Sequence, residues 1–103
     1  MSDVYIVSGA RTPMGGMLGV FSSLTAVELG ETAVAEAVKR SNIDAAKIED
    51  VIMGCVLPAG LKQGPARQAA IAAGIPKSTG AVTVNKLCGS GMQAAIYAHD
   101  QIK

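Results

Sequence analysis

Short β-branched runs alternate with longer helical patterns along this chain of 103 residues, and that order predicts an α/β fold. Strands separated by helices need crossovers, which run right-handed and keep the strands parallel, so three layers are expected, with helices on both faces of one sheet. Half of the residues are apolar and only 17% are charged, as suits an ordered chain packed on several sides. A free-standing domain of this length carries more solvated surface, so the composition reads as an inner portion of a larger protein.

Val4, Ile6 and Val7 form a β-branched run closed by Ser8 and Gly9, predicting a strand over residues 4–7. The loop after it, through Arg11, Pro13, Gly15 and Gly16, can neither extend a strand nor open a helix. Thr25 with Glu28 has capping-box spacing, the hydroxyl serving first-turn amides and the carboxylate reaching back, and a helix is predicted over residues 26–40. Ala26, Leu29, Ala33 and Ala37, with Gly30, Val34 and Val38 alongside, give that helix one broad face to bury. Asp44 is placed to cap one loose turn, and Val51, Ile52 and Met53 make a strand stopped by Gly54. Pro65 opens and Gly74 closes a short alanine-rich helix over residues 66–73. Residues 81–84 form the next strand. From Cys88 a last helical pattern turns Met92, Ala95, Ile96 and Ile102 to one side and meets no stop signal by Lys103, so more chain is expected beyond it.

Nine Lys and Arg against eight Asp and Glu, without a basic run and with aromatics at 3%, signal neither phosphate attraction nor base stacking, and no nucleic-acid partner is expected. Nor is a membrane partner: no apolar stretch approaches spanning length, residues 1–10 lack the basic-then-apolar order of a cleaved leader, and a cytoplasmic location is the default. Cys55 and Cys88 form no CxxC pair and have no histidine at ligand spacing, so no redox pair or metal site is indicated. Gly15, Gly16 and Gly19 do not make the G-x-G-x-x-G pattern, and no Lys-Ser/Thr pair follows them.

Functional residues of such folds lie past the carboxyl ends of strands. There the run Asn85, Lys86, Leu87, Cys88, Gly89, Ser90, Gly91 puts a thiol at a strand-to-helix turn beside two glycines. Each glycine costs roughly 1 kcal/mol relative to alanine inside a helix, so two in one first turn suggest that another backbone or a substrate comes close. Unpaired amides and the positive dipole end of a helix favour a thiolate and offer donors to an oxyanion, which is how a cysteine nucleophile is prepared. Position and glycine context leave a second reading open, in which Cys88 is a small buried apolar residue. The one histidine, His99, lies in the same predicted helix about 16 Å further on by helical rise, too far to serve as its base, and reads as a surface or packing residue. Arg11 reads as a structural ion-pair or subunit-contact residue and Cys55 as a buried small one. Lys86 either faces solvent or biases Cys88 toward the thiolate.

The run from Asn85 to Gly91 is similar to the active-site cysteine signature of the thiolases, the acyl-CoA acetyltransferases. The resemblance covers the whole chain and keeps its order: Gly9, Ala10, Arg11, Thr12 and Pro13 with the glycine loop, the helix with Leu29 and Gly30, the strand of Ile52, Met53 and Gly54, and the helix of Ala66, Arg67 and Gln68. Met14 and Cys55 depart from common family usage and leave Cys88 untouched. The resemblance implies a thiolase-like layered fold, with residues 1–103 an incomplete N-terminal thiolase domain, the first βαβαβα portion of the N-terminal half.

By the same resemblance Cys88 takes an acyl group from coenzyme A as a thioester, its own amide helping to hold the carbonyl oxygen. The reaction implied interconverts two acetyl-CoA with acetoacetyl-CoA and free coenzyme A, with coenzyme A thioesters as substrates and no cofactor or metal. A catalytic His and a second, proton-abstracting Cys are implied in the remainder of the same protein, so this portion alone is expected to be inactive. A homodimer or homotetramer is implied as well, with contact expected at the alanine-rich helix and the strand of residues 81–84. Two further readings use the same residues: a related condensing enzyme with another acyl donor, and a non-catalytic thiolase-like lipid-binding or scaffold protein in which Cys88 is inert.

Overall fold

The computed structural model describes residues 3–103. Helix α1 (Ala26–Ser41) starts where the sequence puts it, with the Glu28 N–H donating to the Thr25 hydroxyl at 3.1 Å. The Glu28 carboxylate closes back onto that same hydroxyl, at 3.3 Å. Asn42 ends the helix at φ 58°, a left-handed conformation that asparagine tolerates better than most residues, and its N–H donates to the Lys39 carbonyl. Asp44 then caps a single 3₁₀ turn, Ala45–Lys47, by accepting from the Ala46 N–H.

Strands β1 (Asp50–Gly54) and β2 (Gly80–Val84) pair in parallel, Asp50 opposite Gly80 and Gly54 opposite Val84. A parallel pair cannot be joined by a hairpin, and α2 (Pro65–Ala72) supplies the crossover. Pro65 opens α2 after Gly64, Gly74 closes it at φ 95°, and the Thr83 hydroxyl accepts from the Ala66 N–H, one of the amides a helix start leaves unpaired. Ala66, Ala69 and Ala70 are at most 2% exposed, and their small size lets α2 lie close to α1, where a Cβ on Gly30 would stand 3.2 Å from that of Ala69 and 3.5 Å from Met53 Cε. Met53 and Thr83 thus face α1 and α2. Gly54 instead meets the first turn of α3 (Ser90–Ile102), so α3 takes the other face and the three layers are realised.

The expected strand over residues 4–7 is absent. Tyr5, Ile6 and Val7 are exposed, and the segment is tied to α1 instead, through Ser8 Oγ donating to the Ala37 carbonyl at 2.7 Å and Arg40 donating to the Gly9 carbonyl at 3.0 Å. A strand exists only through its ladder partner. Between residues 8–10 and the outer edge of β1 lies a gap of about 1260 Å³, walled by Ala33 and Ala37 of α1 and by Ala94 and Ala98 of α3. The sheet of the described residues is therefore two-stranded, and the βαβαβα order lacks its first member.

Two helix faces also differ from expectation. The broad face of α1 is half-buried with no residue fully enclosed, because part of it looks into the gap. In α3, Met92, Ile96 and Ile102 are exposed while Ser90 and Ala94 are buried, since the helix approaches β1 on its small-residue side. The core is accordingly slight: Ala66, Ala69, Ala70, Ile75 and Ala94.

Candidate active site

Residues 85–89 carry the chain from β2 into α3, and Cys88 sits in this turn just ahead of the helix. Leu87 is held at φ 50°, a conformation that costs a residue with a Cβ roughly 1–2 kcal/mol and persists only where neighbours fix it. Two side chains do so. Asn85 Oδ1 accepts from the Leu87 N–H at 3.0 Å, while its Nδ2 donates to the Val56 carbonyl at 3.2 Å and so ties the turn to the loop after β1. The Ser90 hydroxyl accepts from the Lys86 N–H at 2.9 Å and donates to the Leu87 carbonyl at 2.6 Å. Gly89 N–H to the Lys86 carbonyl, 3.0 Å, completes the loop.

Cys88 is exposed and free of any disulfide, whereas the alternative reading expects a buried packing residue. The Cys88 amide N–H makes no hydrogen bond among the described residues, so an exposed thiol and an unpaired backbone donor stand together just ahead of a helix start. The close approach of another backbone expected at the flanking glycines comes at Gly91, from the end of β1, although a Cβ on Gly91 itself would meet nothing within 4 Å and one on Gly89 only the Lys86 carbonyl at 3.5 Å. The crowded glycine is Gly54, read from the sequence only as a strand stop. A Cβ there would collide with the backbones of Ser90 and Gly91. Ser90 was likewise not singled out by its spacing, because a serine in a glycine-rich run carries no local signal for a bond made across the turn.

Among the described residues no side-chain base is hydrogen-bonded to Cys88. His99 lies in the last turn of α3, exposed, with Nδ1 3.0 Å from Asp100 Oδ1, the surface position expected of it. Lys86 Nζ donates to Gln93 Oε1 at 3.1 Å, so the partner it has is on α3. Cys55 is half-buried in a small hollow between α1, α2 and the ends of the strands. Arg11, read as a structural ion-pair or subunit-contact residue, is exposed and meets no carboxylate among the described residues. Cys88 does not line the large gap, which runs along β1 and not at the turn. Among the described residues no group of three or more His, Cys, Asp or Glu is placed to hold a metal ion, and no helix is long and apolar enough to cross a membrane.

A family model described as the N-terminal domain of thiolase matches residues 4–103. Acetyl-CoA acetyltransferase 2 of Arabidopsis thaliana is 55% identical over 101 residues, 98% of this chain and 25% of that protein. A cytosolic acetyl-CoA acetyltransferase of Gibberella zeae is 50% identical over 99% of the chain and 26% of its own length, and relatives named as mitochondrial occur in Xenopus laevis. The crystal structure of a thiolase of Ascaris suum in complex with coenzyme A superimposes with a TM-score of 0.96 at 48% identity, over 98% of this chain and 26% of that one. The chain spans about a quarter of the length of the curated relatives it matches.

Proposed function

The chain belongs to the family of thiolase N-terminal domains, and on that premise we propose that it contributes the acyl-accepting thiol, Cys88, of an acetyl-CoA acetyltransferase. The observation that carries this reading is an exposed, unpaired thiol just ahead of a helix, with a free amide of its own and a turn pinned on both sides.

In the first half-reaction the Cys88 thiolate attacks the carbonyl carbon of acetyl-CoA. A carbon–sulfur bond forms to Cys88, the bond to coenzyme A breaks, and coenzyme A leaves as a thiolate that takes up a proton. In the second, an enolate formed from another acetyl-CoA attacks the acetyl-Cys88 carbonyl, and acetoacetyl-CoA departs as the Cys88 thiolate is released. Each step passes through a tetrahedral oxyanion, for which the Cys88 N–H is one pre-aimed donor. No electrons are gained or lost, so the chemistry as written calls for no redox cofactor. The imidazole and second thiol that move protons are assigned to the remainder of the same protein, so the 103 residues by themselves turn over no substrate. A cytosolic homodimer or homotetramer is the form in which we place it.

Incubation of the intact protein with acetyl-CoA, followed by acid quench and peptide mass analysis, is expected to show one added acetyl group on the peptide containing Cys88. An unmodified peptide under those conditions counts against the proposal.

A further inference from the structure

We propose that Ser90 is a positioning residue for Cys88: its enclosed hydroxyl clamps the turn from behind and fixes where the thiol stands. This inference rests on the reading of Cys88 as the acyl-accepting nucleophile.

Ser90 is 5% exposed, and its hydroxyl uses both of its capacities on the two residues that precede Cys88, accepting from the Lys86 N–H and donating to the Leu87 carbonyl. Those two backbone groups belong to the stretch in which Leu87 occupies the left-handed region while its apolar side chain is 72% exposed. Leu87 gains little from burial there, so hydrogen bonds must hold the conformation. Asn85 supplies one from the strand side, and the Ser90 hydroxyl supplies two from the helix side, beside the bond of 3.1 Å from the Ser90 N–H to the Leu87 carbonyl. The clamp is itself anchored. The backbone of Ser90 and Gly91 lies directly on Gly54 at the end of β1, where only a glycine leaves room. A chain of contacts therefore runs from the sheet through Gly54 to Ser90, and from the Ser90 hydroxyl to the backbone that carries Cys88.

Nucleophilic attack is sensitive to such placement, because an error of about 1 Å in a reacting atom can lower a rate about a hundredfold while ground-state binding is little changed. Removing the hydroxyl takes no atom away from substrate, so the loss is expected in kcat and not in KM.

The test compares the intact wild-type protein with Ser90→Ala, measuring kcat, KM, the rate of Cys88 acetylation per folded molecule and the melting temperature. The expected result is a ten- to hundredfold fall in kcat and in the acetylation rate, with KM within about twofold of wild type. An acetylation rate per folded molecule equal to wild type, or a change confined to KM or to melting temperature, overturns the inference and leaves the nucleophile assignment standing. Failure of the wild type to become acetylated at Cys88 overturns the nucleophile assignment itself. Should Ser90→Ala not fold, Ser90→Cys keeps the volume while weakening both hydrogen bonds. The same fall in kcat is expected of it, and unchanged kcat overturns the inference.

Discussion

Cys88 and Gly54 illustrate opposite uses of a single residue. The Cys88 side chain is exposed, so its removal should leave the fold almost untouched, within about 0.5 kcal/mol, while removing the group proposed to accept the acyl chain. Cys88→Ala in the intact protein is expected to lower acetyl transfer at least about a thousandfold with an unchanged melting curve, read by turnover and calorimetry. Gly54→Ala should do the reverse. The added methyl has no space against the backbones of Ser90 and Gly91, and relieving such overpacking typically costs about 1–3 kcal/mol. A lower melting temperature is expected, together with slower alkylation of Cys88 by iodoacetamide, since α3 must shift and the turn moves with it. A variant that melts like wild type would show that the strand end yields instead.

The elements that formed as the sequence predicts are those whose signals are local. Thr25 caps α1, Asp44 caps the 3₁₀ turn, and Pro65 and Gly74 bound α2, each by a bond or a dihedral made within a few residues. Thr25→Ala is accordingly expected to cost about 1 kcal/mol through loss of the bond from the Glu28 N–H, measurable as a shift of the denaturation midpoint. Serine at the same position should recover most of it. Residues 4–7 have equally good β-branched chemistry and form no strand, because strand character is completed by a partner and the outer edge of β1 stands away from them. The apolar residues of α3 were misplaced for a related reason: Gly54 and the alanines decide which side of that helix can come close, and the larger Met92, Ile96 and Ile102 are left outside.

Across the whole molecule, a small-residue core is combined with much uncovered apolar surface. Among the described residues no large side chain is fully enclosed, while Ile6, Met14, Met17, Leu18 and Val20 are more than 80% exposed. The shape is drawn out to 46 × 26 × 24 Å, and one edge of β1 faces the alanine-walled gap without a neighbouring strand. Unpaired edges and large apolar patches drive association. The 103-residue chain by itself is therefore expected to bind a hydrophobic dye and to self-associate with rising concentration, as followed by fluorescence and sedimentation. A monomer that excludes dye at every concentration would contradict this account of its surface. The sequence by itself determined three helices, two parallel strands and the thiol between the second strand and the last helix, because caps, glycines and apolar periodicity act over one or two turns of chain. Only the tertiary structure decided that residues 4–7 stay unpaired, that Gly54 carries the weight of α3, and that Ser90 closes the turn before Cys88. Each of these depends on a partner that folding brings from elsewhere, and no pattern in the neighbouring residues can specify its distance.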